Sequence, residues 1–599
     1  MQKLRYFSVM FLSVFVAGSA LATIFPAGSV VNWQANRPGV LGGIPNVTNI
    51  WITLDTNASA AKIQAALLTC PSNSAVVLSP GTYDLTASLI IGKSSFSPLG
   101  QGNGMVLRGA GPGQTIIRFH NCAQPFGTIS FLPANYSTGP NNSFVANWTG
   151  GYAQGSTSIT LDNVPASLAV GTLLVLDQQD ATSSSTFTFV DPVGVESTQV
   201  NFCRGGSDPV NHPELIRNQV QTVRVTAING KTLTIDPPIY MTNWSASLAP
   251  QATWSPNPLQ MCGLENMTID NAAVGGTFPN TILFQNCLNC WLKNVETTHS
   301  QYAAVGTLVC SHLEIRDSYF HDVASGGGSV SYGVNIAYGT SDSLVENNIF
   351  NAITSPLLLD QGCSGNVFGY NYMTNMIYPG INLAEGCETT HGAHPTMNLF
   401  EGNYGTQIGH DYIHGSSSHN THFRERMIGY EPGKQSYTYA VSVQGTNFYQ
   451  NFVGCVFGTA GFHKNYEFNV QFVPNAYPPN AIYWMGVYTI GGSPAAGSML
   501  GSQLQFRHGN YDVADNSIVW NPSVADHTIP PSMYLTSKPS WFGSLAWPPI
   551  DPFNPSAAVV TNLPAGYRFV FNSTPSGAVG SNPQPPSRPP APTNLHLLN

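Results

Sequence analysis

Between about residues 280 and 460 one phrase keeps returning: a short apolar run, a Gly or Cys, a polar turn, and a second apolar run that closes near Asn. In order it reads TILFQNCLNCWLKNV, AVGTLVCSHLEIRDSYF, GVNIAYGTSDSLVENNIF and PLLLDQGCSGNVFGYNYM, then GINLAEGCETTHGAHPTMNLFEGNYG, YIHGSSSHNTHFRERMIG and VSVQGTNFYQNFVG. The closing Asn falls at Asn348, Asn371, Asn403 and Asn451, with Arg426 in the slot before the last, so the steps are 23, 32, 23 and 25 residues. A period of this length, built from short strands, specifies a solenoid, because one repeat cannot bury its apolar face until its neighbours stack on it. It also removes the usual need to split 599 residues into several globular units, since stacked repeats extend a single core.

Composition agrees with a turn-rich β protein. Only 9% of residues are charged, while Gly (58) and Pro (44) are plentiful. The net charge of −9 argues against a nucleic-acid partner, which calls for a basic surface. The opening MQKLRYFSVMFLSVFVAGSALATIF has a basic start, an apolar stretch and Ala20-Leu21-Ala22, so residues 1–22 read as a secretory signal peptide and the protein is expected to be secreted. No other stretch is long enough for a membrane span, and a monomer is expected. Export permits disulfides. Cys363 and Cys387 follow Gly362 and Gly386 and read as the same slot of successive repeats, one rung apart, either as stacked thiols or as a bonded pair. Cys287 and Cys290 lack the second pair that a zinc site would want.

Residues 23–120 open with an extended segment. ASAAKIQAALL (58–68) then has the helical spacing of Ile63, Ala66 and Leu67, followed by the strands AVVLSPGTYDL, SLIIG and GMVLRGAGPGQTIIRF. Three segments, Ile63-Gln64-Ala65-Ala66-Leu67, Leu78-Ser79-Pro80-Gly81-Thr82-Tyr83 and Leu107-Arg108-Gly109-Ala110-Gly111, resemble the pectin-lyase-like superfamily of right-handed parallel β-helices. In that superfamily a short helix caps the first rung and a strand leads into a Gly-Thr-Tyr turn. The resemblance covers about residues 50–120 and 260–520 and implies an all-β, right-handed parallel β-helix with an N-terminal capping helix. It implies no single activity, because the superfamily holds lyases, hydrolases, epimerases and non-enzymes. Residues 121–260 interrupt the repeat as a β-rich insertion, with GSTSITL, TLLVLDQQ and a hairpin turning at Asn229-Gly230. The main helix is expected over 261–525, an aromatic and Pro-rich cap or strap over 526–571, and a linker-like, disordered tail over 572–599.

Apolar side chains fill the inside of such a helix, so chemistry must use outward residues of adjacent rungs. Aligning the strands on the recurrent Gly sets Asn335-Ile336-Ala337-Tyr338-Gly339 over Leu358-Leu359-Asp360-Gln361-Gly362, then Asn382-Leu383-Ala384-Glu385-Gly386 and Asp411-Tyr412-Ile413-His414-Gly415. With Ile336, Leu359, Leu383 and Tyr412 inward, the outward stripe carries Asn335, Asp360, Asn382 and Asp411, with Glu385 and His414 at strand ends. Rungs lie about 4.8 Å apart, which puts Asp360 and Asp411 two rungs, roughly 10 Å, apart along the backbone. An inverting glycosidase needs an acid and a base with water between them, at about 6.5–9.5 Å. Asp360 and Asp411 are therefore candidate acid and base, with Glu385 as substitute. The Asn-Thr-Asp, Asp-Asp, Gly-His-Gly and Arg-Ile-Lys motifs of polygalacturonases do not occur in order.

Six of the fifteen His lie between 391 and 422, at His391, His394, His410, His414, His419 and His422. His410 and His414 are candidates to tune or share the catalysis; His391 and His394 are candidates for substrate contact, as are Asn335, Asn382 and Tyr338. Arg424 and Arg426 could hold a uronate carboxylate, or pair with Glu401 or Glu425. No His spacing matches a zinc motif and no dense Asp cluster suggests calcium, so no metal ligand or cofactor is assigned, although a divalent cation such as calcium would suit the acidic stripe. The leading expectation is a polysaccharide-degrading glycoside hydrolase. The alternatives are a uronate lyase using His or Tyr with Arg, and a non-catalytic glycan-binding or adhesin-type β-helix.

Overall fold

The computed structural model describes residues 24–92, 103–122, 127–133, 144–179, 217–274, 280–323, 331–376, 378, 386–411, 417–435, 437–444, 447–470, 480–486, 489–490, 493–494 and 505–579. Among these, each central rung gives one strand to an 11-strand sheet and two short strands to a 22-strand sheet. One rung is Tyr332–Ile336, Leu344–Glu346 and Ile349–Asn351; the next is Ser355–Leu359, Val367–Gly369 and Tyr372–Thr374. They pair in parallel, Ile336 on Leu359, Val345 on Phe368 and Phe350 on Met373. The corner within each pair of short strands is a residue in the left-handed region, Asp317, Asn347 and Tyr370 in successive rungs. The result is a right-handed parallel β-helix. Val334, Ile336, Leu357, Leu359, Val345, Phe350 and Phe368 alternate inward and merge into one continuous apolar core.

Two ladders of amides run inside the coil. In one, Asn348 Nδ2 donates to Asn371 Oδ1 (3.0 Å) and Asn371 Nδ2 to Asn403 Oδ1 (3.0 Å). In the other, Asn366 donates to Asn398 and Asn398 to Asn420, each at 2.9 Å. Each amide satisfies buried groups of the rungs on both sides, a net gain of about 0.5–1.5 kcal/mol per bond. The expected steps hold for Asn348, Asn371 and Asn403 and then change. Glu425, not Arg426, takes the next slot: Asn403 N donates to its Oε1 (3.3 Å) across 22 residues. Cys455, not Asn451, follows, its Sγ accepting from Glu425 N at 3.4 Å across 30 residues.

The alignment of the 11-strand sheet also needs correction after Leu359. The strand stacked on Ser355–Leu359 is Glu388–Thr390, with Leu357 on Glu388 and Leu359 on Thr390; the expected partner, Asn382 to Glu385, lies outside the described residues. The following strand is Ile408–His410, with Thr390 on His410. Cys387 therefore lies before a strand while Cys363 lies after one. The two do not share a slot, and both are free, buried thiols.

The helix Ala60–Thr69 closes the N-terminal end, burying Ala60, Ile63, Ala66 and Leu67. Its Ser59 cap accepts from Lys62 N at 3.3 Å, and Gln64 exchanges two hydrogen bonds (2.9 and 2.8 Å) with the backbone of Ile90. The insertion starts later than the composition suggested, since Gly127–Phe131 is still a strand of the 11-strand sheet. Its strands between 145 and 254 close into a six-strand barrel that includes the hairpin at Asn229-Gly230. The barrel docks on the turns of the coil. Val220 packs against Gly339 and Gly362, where an added Cβ at Gly362 would lie 2.5 Å from Val220 Cβ, and Tyr240 donates to Asp342. Gly362 also sits at φ 65°, so the recurrent Gly serves both the turn and this close approach.

The C-terminal segment crosses the outer face of the 22-strand sheet through short turns and ends in the helix Pro564–Phe571. Met533, Tyr534, Trp541, Phe542 and Leu563 cover Tyr319, Ile349, Val367, Tyr370, Tyr372, Leu399 and Phe423. No helix among the described residues is long and apolar enough to cross a membrane.

Candidate active site

Strand alternation places Asp360, His391 and Asp411 in one outward column. Leu359, Thr390 and His410 are stacked in register, so the residues that follow them leave the same sheet edge on three consecutive rungs. The backbone confirms the column: Asp360 N donates to Ile336 O (2.8 Å), His391 N to Leu359 O (2.8 Å) and Asp411 N to Thr390 O (3.2 Å). Asp360 and Asp411 are thus two rungs apart as expected, and the residue between them is His391 rather than Asn382.

All three side chains are half-buried. His391 Nδ1 is hydrogen-bonded to Asp411 Oδ2, an ion pair when the imidazole is protonated. Asn335 Nδ2 reaches Asp360 Oδ2 at 3.4 Å. Burial pushes the Asp360 carboxyl up to about 6; the Asp411 charge adds to the rise, and His391 and Asn335 oppose it. Tyr302 and Tyr338 stand within reach of this charge. Burial first, then Asp360, lifts the Tyr302 phenol to about 12 and raises Tyr338 further. Tyr302 packs edge-on against Tyr332 with ring centroids 5.1 Å apart. The barrel flanks the column, since Val220 touches Gly362 two residues beyond Asp360. A half-open edge with a proton-holding carboxyl, a carboxylate–imidazole pair and two phenols is equipped for proton transfer to and from a bound ligand.

The other expected residues are elsewhere. His410, a candidate to tune or share the catalysis, is the inward neighbour of Asp411, wholly buried, with Nε2 3.1 Å from His422 Nε2 and Nδ1 2.9 Å from Thr390 Oγ1. His394 is buried in the turn after the column. Arg424 lies on the 22-strand sheet under the C-terminal strap, donating to the carbonyls of Ile529 (3.0 Å), Pro530 (2.8 Å) and Ile550 (3.0 Å), and is a strap anchor rather than a groove residue. Its hydrogen-bond and ion-pair partners are these carbonyls and Asp551 (3.5 Å); of the two expected carboxylates, Glu401 adds its charge to the surroundings of Arg424 and Glu425 does not pair with it. Arg426 is on the same sheet, donating to Met427 O and Val456 O and lying over the Tyr404 ring. Glu385, Asn382 and His414 fall outside the described residues. Tyr370 and Tyr372 are covered by the strap.

A family model described as right handed beta helix region matches residues 259–426. Comparison with curated proteins gives no match. Among solved structures, the tailspike gp61 of Pseudomonas phage phi297 is 14% identical with a TM-score of 0.48, over 76% of this chain and 68% of that one. An alginate lyase from Paenibacillus sp. strain FPU-7 is 10% identical with a TM-score of 0.35, over 73% and 99%. A mannuronan C-5 epimerase A-module from Azotobacter vinelandii is 11% identical with a TM-score of 0.33, over 73% and 96%. At these identities the likeness is one of fold. The matched repeat, the parallel register and the continuous coil give this chain a right-handed parallel β-helix fold, with no activity family singled out.

Proposed function

We propose that the protein is an exported polysaccharide-degrading glycoside hydrolase whose reacting groups are Asp360, His391 and Asp411. The observation that carries this reading is the single outward column holding two carboxylates two rungs apart with unequal surroundings. Two rungs correspond to about 10 Å of backbone, a separation from which carboxyl groups reach the roughly 6.5–9.5 Å of an inverting pair. Asp360, which holds its proton up to about pH 6, is the general acid toward the leaving glycosidic oxygen. Asp411, oriented by its bond to His391, is the general base toward water. Tyr302 and Tyr338 offer phenolic faces beside the acid for a sugar ring.

Incubation with a panel of neutral glycans and polyuronates tests the reading. New reducing ends without the absorbance of unsaturated products are the expected result. Reducing ends accompanied by that absorbance would mean a uronate lyase, for which His391 and Tyr338 supply the base and acid. Silence across the panel, with retained binding, would make the column a glycan-binding stripe.

A further inference from the structure

Three inward ladders lose their usual residue on two adjacent rungs of the coil. The column Phe368, Phe400, His422, Phe452 is a ring stack broken by an imidazole, with centroids 4.7 Å from Phe400 and 5.2 Å from Phe452. The column Leu357, Glu388, Ile408, Val441 is aliphatic except for a carboxyl. The amide ladder Asn348, Asn371, Asn403 continues as Glu425. The three substituted residues meet: one ligand atom from each of Glu388, His422 and Glu425 lies within 4.8 Å of the others, and all three residues are buried.

The surroundings orient this cluster toward a cation. Asn403 Nδ2 donates to Glu388 Oε1 (3.0 Å) and to Glu425 Oε1 (3.2 Å), occupying one oxygen of each carboxyl. Glu425 Oε2 is buried with no hydrogen-bond partner. His422 Nδ1 is 3.0 Å from Glu388 Oε2, close to the spacing of about 2.9–3.4 Å between neighbouring ligands when metal–ligand bonds are about 2.0–2.1 Å. The protons on the far side close without remainder. His422 Nε2–H can donate to His410 Nε2 (3.1 Å), and His410 Nδ1–H to Thr390 Oγ1 (2.9 Å) or Ser417 Oγ (3.2 Å), which leaves His422 Nδ1 with a lone pair facing the carboxyls. Such an outer chain fixes the tautomer of a metal-bound imidazole.

We propose that Glu388, His422 and Glu425 form a structural metal site inside the solenoid, for a divalent first-row ion and zinc in particular. Two carboxylates and a neutral imidazole around a divalent ion carry no net charge, so the ion removes the cost of burying two facing carboxyls. Without it, two carboxyl groups face each other in the dry interior. The site is interior, so the ion enters as the coil closes, and it stands apart from the outward column.

The test refolds the full chain with zinc or with EDTA. The zinc sample is expected to retain close to one tightly held zinc ion per chain after desalting and to melt several degrees above the EDTA sample. Refolding with cobalt should give visible absorption bands of a nitrogen- and oxygen-ligated ion. The triple variant Glu388→Leu, His422→Phe, Glu425→Asn continues each ladder with the residue of its neighbouring rung; it should fold, retain no zinc and melt alike in both buffers. Should that variant fail to fold, zinc content and the cobalt spectrum of the unaltered chain decide alone. Substoichiometric zinc with no cobalt bands, or full zinc retention in the triple variant, overturns the proposal and leaves a metal-free cluster only.

Discussion

Thr390 and His391 are neighbours in sequence, as are His410 and Asp411, yet each pair straddles the wall of the coil. Outside, Asp360, His391 and Asp411 are half-buried, and the Asp360 carboxyl rises to about 6. Inside, at the same level, Glu388 rises to about 7 and His410 falls to about 3, in both cases because burial penalises the charged form. The same residue types thus do different work one position apart. Water on the outer face lets charge change during a reaction, whereas the dry inner face favours the neutral forms of its groups and makes them part of the packing.

Conservative changes on the outer face break this comparison most directly. Asp360→Asn and Asp411→Asn are each expected to lower kcat by about 10²–10⁴-fold, the range for loss of a general acid or base. Asp411→Asn should move stability by no more than about 0.5 kcal/mol, as for a partly exposed position, whereas Asp360→Asn should raise it above pH 6 by removing a carboxyl that burial keeps from ionising. Turnover on the glycan found in the panel and a urea titration of each variant measure the two quantities. Near-normal turnover in either variant would remove the paired-carboxylate mechanism.

The inner face should respond in the opposite sense. His410→Leu removes a partner from Thr390, Ser417 and His422 together and is expected to destabilise the fold by about 1–3 kcal/mol. Because His410 does not face the column, KM and the pH dependence of turnover should stay unchanged below the melting transition. A shifted pH profile would show that the two faces are coupled through the wall.

These contrasts mark how much of the protein the sequence disclosed. The repeat, the capping helix and the two-rung spacing of Asp360 and Asp411 were legible because a stacked strand has one residue per rung and alternates strictly. The residue between them was not, because the sequence after Leu359 offers an apolar run, Ile381 to Ala384, ahead of the polar Glu388-Thr389-Thr390, and the Gly-based alignment chose the apolar one. Pairing of Leu357 with Glu388 makes the second run the strand, a choice that puts a carboxyl into an aliphatic column and that local pattern alone argues against. Arg424 was misread for a different reason: its partners are carbonyls more than a hundred residues away in the strap, a contact no local spacing encodes.

The pH dependence of turnover sharpens the role of the outer acid. If Asp360 must be protonated to deliver its proton, activity should fall as pH rises through about 6, approaching tenfold per unit beyond it. The same proton makes the fold lose stability as pH rises from 3.8 toward 6, because the folded state holds it where the unfolded chain has released it. A variant with Asn in place of Asp360 should lose this slope.

The smallest expected effect separates the acid from its neighbour. Asn335 Nδ2 donates to Asp360 Oδ2 over 3.4 Å, a long bond that favours the ionised carboxylate. Removing it in Asn335→Ala leaves the ionised form less well held, so Asp360 keeps its proton to higher pH and the alkaline limb of the activity profile should move upward. The length of the bond limits the shift to about half a pH unit, equivalent to about 0.7 kcal/mol. An unshifted limb with lowered affinity would instead make Asn335 a ligand contact. A downward shift would mean that the group titrating in that limb is not Asp360, since no loss of a donor to a carboxylate can make it release its proton earlier.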